Sequence, residues 1–76
     1  MNKKRREQIS EIVTKLQDCK SELETIRDAE DEARENMPEN LESSQRYCES
    51  EEASDNMTDA ASDLESAINN LEEVAN

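Results

Sequence analysis

Two seven-residue apolar repeats run along this chain, separated by a stretch of turn-forming residues. In the first half Ile9, Ile12, Leu16, Cys19, Leu23, Ile26, Ala33 and Met37 follow alternating steps of three and four, broken only at Glu30. In the second half Tyr47, Met57, Ala61, Leu64, Ile68, Leu71 and Ala75 fall on one stripe, with Ser50 and Ser54 completing its spacing. A repeat of this kind places its members along one face of an α-helix, as in the seam of a coiled coil. Pro38 lacks an N–H and disfavours helical geometry at Met37, so the first helix should stop near Asn36. Asn40, Ser43 and Ser44 are candidate N-caps for the second. The pattern therefore predicts an all-α single domain spanning 1–76. Its first helix should cover about 3–36, a turn about 37–43 and a second helix about 44–75.

Folding back at the turn pairs residues whose numbers sum to about 80. Ile9 then meets Leu71, Ile12 meets Ile68, Leu16 meets Leu64, Cys19 meets Ala61 and Leu23 meets Met57. Charge provides a second test. Lys20, Arg27 and Arg34 recur on one flank of the first helix, and Glu51, Glu65 and Glu72 on the facing flank of the second. Both tests select an antiparallel two-helix hairpin, coiled-coil-like in its packing. The ends suggest the same arrangement. Lys3, Lys4, Arg5 and Arg6 at one helix start and Glu72 and Glu73 at the other helix end each oppose the helix dipole, and neighbouring positions would relieve both.

A second column, Ala53, Ala60, Ala67 and Val74, runs beside the seam of the second helix. An apolar face of that width suits a third neighbour, so the hairpin is expected to form a homodimer, a four-helix bundle packed through this column. Few strongly apolar side chains are available, and they are set against a net charge of −12. A chain of that composition has difficulty ordering itself alone, which adds to the expectation of assembly.

Composition removes several chemistries. There is no His and no Gly. Imidazole acid–base chemistry is therefore absent. The acidic run Asp28-Ala29-Glu30-Asp31-Glu32 lacks the glycine that a calcium-binding loop needs at its sharp turn. Cys19 reads as a small core residue and Cys48 as an exposed thiol, too far apart along the hairpin for a bridge. No catalytic, cofactor-binding or metal-binding residue is expected, and the chain is not expected to be an enzyme. No stretch is long and apolar enough for a transmembrane helix, and the basic start is followed by Glu7 and Gln8 instead of a signal-like apolar run. A cytoplasmic protein without membrane contact is the expectation. Residues 21–76 carry three basic and eighteen acidic side chains, so direct nucleic-acid binding is not expected either.

What remains is the acidic surface. From Tyr47 to Asn76 there are nine carboxylates and no Lys or Arg. Glu52, Asp55, Asp59 and Asp63 form a ridge at spacings of three and four. Like charges at such spacings destabilise a helix by a few tenths of a kcal/mol each, so helix stability does not account for the grouping. The ridge suits a protein target with a basic surface, where carboxylates can stand in for phosphates. It also suits a solvated face that keeps a small protein soluble, the commoner origin of such a surface.

The segment from Arg34 to Ser44, with its Asn36-Met37-Pro38-Glu39-Asn40-Leu41 turn, lies between Asp28-Ala29-Glu30-Asp31-Glu32 and an acidic Ala/Leu helix. In this it resembles a group of uncharacterised small acidic proteins from phages and prophages of Gram-positive gut bacteria. The resemblance transfers no active-site residue. It implies the cytoplasm of a bacterial host cell and a role in inhibiting host machinery, such as a restriction or CRISPR nuclease, by imitating DNA charge. A structural adaptor or assembly module with no inhibitory role is the alternative.

Overall fold

Helix α1 starts at Asn2, whose side-chain oxygen accepts a hydrogen bond from the Arg5 amide at 2.8 Å. The cap satisfies one of the amides that a helix start leaves without a partner. From there α1 runs Lys3–Glu35, and Asn36 closes it two residues before Pro38. Ser44 caps the second helix, its hydroxyl accepting from the Tyr47 amide at 3.2 Å. Helix α2 runs Gln45–Ala75. The computed structural model describes residues 1–38 and 44–75. The cap candidates Asn40 and Ser43 lie outside them.

The two helices pack along their length as an antiparallel hairpin about 60 Å long and 14 × 13 Å across. On α2 the inner stripe is the expected one. Ser50, Ser54, Ala61 and Ile68 are buried, and Tyr47, Met57, Leu64, Leu71 and Ala75 are partly buried. Ile68, at 2 % exposure, is the most enclosed large side chain among the described residues. Neither described helix is long and apolar enough to cross a membrane.

On α1 the stripe is rotated by one residue. Ile9, Leu16, Leu23, Glu30 and Met37 face inward as expected, but their companions are Val13, Lys20, Arg27 and Arg34. Val13 is buried, while Ile12 and Ile26 are 46 % and 60 % exposed, and Cys19 and Ala33 are exposed too. The expected pairings of Ile12 with Ile68 and of Cys19 with Ala61 are thereby corrected, as is Cys19 as a core residue. Hydrophobicity alone favours the other rotation. Polar matching favours this one. It brings Lys20 Nζ within 3.1 Å of Glu65 Oε2 and Arg34 onto the serines of α2, so that cations from α1 find partners across the seam.

The ends also differ from expectation. Gln17 Nε2 donates to Glu72 Oε1 at 3.5 Å, Lys20 reaches Glu65 and Ser54 donates to Asp31. Facing residue numbers therefore sum to about 85 instead of about 80, and the first turns of α1 project past Ala75. The expected pairings of Ile9 with Leu71, Leu16 with Leu64 and Leu23 with Met57 are corrected as well. Every residue from Met1 to Gln8 is exposed. Lys3 pairs with Glu7 on its own helix, at 4.0 Å, instead of with Glu72 or Glu73.

Candidate functional site

Three surfaces compete for attention, and each follows from where the heptads put its residues. The acidic ridge lies on the outer side of α2. Glu52, Asp55, Asp59 and Asp63 are all exposed, and none takes part in an ion pair among the described residues. Four exposed carboxylates without ion pairs among the described residues present a negative strip.

The second surface is the column Ala53, Ala60, Ala67 and Val74. Ala67 is partly buried, while Ala53, Ala60 and Val74 are exposed, Val74 at 43 %. The exposed column Ile12, Cys19, Ile26 and Ala33 of α1 has the same heptad spacing. In an antiparallel helix pair, equivalent flanks of the two seams lie on the same side. The flank carrying Gln17 and Glu72 is one side, as their hydrogen bond shows. The two apolar columns occupy the other.

A polar layer crosses the seam at the loop end, and the apolar reading of the repeat missed it. Arg34 Nη1 donates to Ser50 Oγ at 3.1 Å and to Ser54 Oγ at 2.9 Å, and Nη2 donates to Asp31 Oδ1 at 2.9 Å. The Ser50 hydroxyl donates to Glu30 Oε2 at 2.7 Å and the Ser54 hydroxyl to Asp31 Oδ1 at 2.6 Å. The Arg34 side chain is only 17 % exposed. Every buried side-chain nitrogen and oxygen among the described residues has a partner. The Ser54 hydroxyl, followed by the Arg34 guanidinium, holds the Asp31 carboxyl below its ordinary pKa against the opposing effect of burial. Asp31 in turn raises Arg34, with further help from the charges of Tyr47 and Glu51. A signal was present in the sequence. Glu30 breaks the first repeat at the level where Ser50 occupies the second, and a carboxylate and a hydroxyl facing each other in a seam can satisfy one another.

Chemically this layer is a closed network. Its serines donate to carboxylates and accept from a guanidinium. Cys19 and Cys48 are both free thiols. A shallow depression of about 290 Å³ lies beside the layer, lined by Glu30, Met37, Arg46, Glu49, Ser50 and Ala53. Among the described residues, no three His, Cys, Asp or Glu side chains are grouped as a metal site would require.

No family model, curated protein or solved structure matches the chain. Function must be argued from the hairpin's own surfaces. Of the three, the polar layer is turned inward, and the ridge and the apolar side face outward.

Proposed function

We propose that this protein is a small acidic binding module whose α2 ridge docks on a basic surface of a nucleic-acid-handling enzyme and inhibits it. The observation that carries the reading is the ridge itself. Glu52, Asp55, Asp59 and Asp63 are exposed, aligned along one helix and without ion-pair partners among the described residues. Lys and Arg side chains that ordinarily contact phosphate would find carboxylates at comparable positions and be occluded from nucleic acid. The resemblance of the Arg34–Ser44 segment to small phage proteins supports a host enzyme, such as a restriction or CRISPR nuclease, as the target, and a bacterial cytoplasm as the setting. No catalytic step or cofactor enters this reading.

The test is competition. Binding to such an enzyme should weaken steeply with salt and should be displaced by DNA. Changing Asp55, Asp59 and Asp63 together to Asn preserves shape and removes three charges. The expected result is at least a tenfold loss of affinity, about 1.4 kcal/mol, with folding retained. Undiminished, salt-insensitive binding by the triple variant would contradict the ridge as contact surface. It would favour the adaptor reading, for which the exposed apolar columns are the supporting observation. In that case enlarging Ala60 and Ala67 should be the damaging change.

A further inference from the structure

We propose that the apolar side of the hairpin is the interface of a homodimer in which two copies pack end over end, the loop end of one beside the open end of the other. The first argument is the rotation of α1. The hairpin leaves its more apolar option outside, with Ile12, Cys19 and Ile26 in water while Lys20, Arg27 and Arg34 line the seam. Side chains at heptad spacing on both helices, all exposed except the partly buried Ala67, form four layers, with Ile12 opposite Val74 at one end and Ala33 opposite Ala53 at the other. This is the pattern of a second packing seam.

Area supplies the second argument. The four layers run about 32 Å, at about 1.5 Å per residue, on a side 14 Å wide. This apolar strip of about 450 Å² supplies roughly half of what each partner contributes to an interface of standard size, and the polar remainder of the 60 Å side forms its rim. The hairpin alone buries only Val13, Ala61 and Ile68 as apolar core among the described residues, so it has most to gain from covering this side.

Charge selects both the occupant and its orientation. Residues 21–63 carry fifteen acidic and three basic side chains, and the remaining residues carry six of each. The loop half thus holds the entire net charge of −12 and the open half is neutral. Side by side in the same direction, two copies would bring both charged halves together. Packed end over end, each charged half lies beside a neutral one that includes the projecting Lys3, Lys4, Arg5 and Arg6, and the charged halves stand apart along the bundle. Of the four ridge carboxylates, Glu52, Asp55 and Asp59 point away from this interface, whereas Asp63, three residues after Ala60 and four before Ala67, borders it.

Sedimentation of the full chain at tens of micromolar should give twice the 8.7 kDa chain mass. The Ile26→Glu variant should sediment as a monomer with its helicity by circular dichroism preserved, because Ile26 makes little contact within the hairpin. Orientation is read from a nitroxide on Cys48 in a Cys19→Ser background. Cys48 lies about 23 Å along α2 from the midpoint of its apolar column, at 1.5 Å per residue. End-over-end packing therefore predicts a label separation of about 45 Å, and same-direction packing less than about 25 Å. A monomeric parent chain, a dimer untouched by Ile26→Glu, or the short separation would each overturn the proposal.

Discussion

The open half and the loop half of this hairpin are held together by different physics. Toward the open end the seam is apolar, with Val13 and Ile68 buried and Ile9, Leu16, Leu64 and Leu71 partly buried. Toward the loop it is polar, with Glu30, Asp31 and Arg34 gripping Ser50 and Ser54. Apolar burial is strong but non-directional, and in a heptad repeat it is nearly indifferent to a slip of one turn or a small rotation. A network of five hydrogen bonds from defined atoms is satisfied in one alignment only. The comparison teaches a division of labour. The open half supplies most of the stabilisation, and the loop half selects the rotation of α1 and the register.

The largest effect should come from the open half. Ile68→Ala removes the most enclosed side chain and should cost about 2–5 kcal/mol, read from chemical denaturation. Arg34→Met should cost less but act differently, because it leaves both serines and the Asp31 carboxylate without their common donor. Its melting temperature should fall by several degrees. Adding Ser50→Ala and Ser54→Ala should deepen the loss and leave the helix register less well defined, because it removes the remaining donors to Glu30 and Asp31. Equal damage from Ile68→Ala and Arg34→Met would erase the distinction between the halves.

The outline of the fold was legible from sequence, and the reason is periodicity. The inner stripe of α2 from Tyr47 to Ala75 has every member in the expected place, including the two serines. Both helix ends beside the turn were legible too, from Pro38 and Ser44. The rotation of α1 was not. The column of Ile9, Leu16 and Leu23 is flanked by apolar residues on one side and by Lys20, Arg27 and Arg34 on the other, and hydrophobicity ranks those two choices the wrong way round. What decides between them is the satisfaction of polar groups across the seam, a pairwise property that a one-dimensional pattern does not carry. For the same reason Ala53, Ala60, Ala67 and Val74 were found as a column, whereas its continuation into Ile12, Cys19 and Ile26 emerged only from the packed pair. The charge match was legible in part. Lys20 meets Glu65 as the flanks predict, but Arg27 pairs with its neighbour Asp28 at 3.1 Å.

Acid should act on the loop half first. The folded-state pKa of Asp31 lies below its value in the unfolded chain. Its ionised form therefore stabilises the fold fully above the unfolded pKa of about 3.9, and that contribution is lost as pH falls through the lower folded value. Thermal melts between pH 5 and pH 2 should show a decline that Asp31→Asn reduces. A parent and variant with parallel profiles would remove Asp31 from the account. The smallest effect belongs to Lys20→Met, which breaks the partly exposed pair with Glu65 and should cost about 0.2–1 kcal/mol, less at high salt.

Residue-resolved amide hydrogen exchange tests the division of labour most directly, since it reads local stability along both helices at once. The slowest amides should cluster at Val13–Leu16 and Leu64–Leu71. Those around Asp31–Arg34 and Ser50–Ser54 should exchange markedly faster, and Arg34→Met should accelerate the loop half while leaving the open half protected. Uniform protection along the hairpin, or slowest exchange at the polar layer, would contradict it.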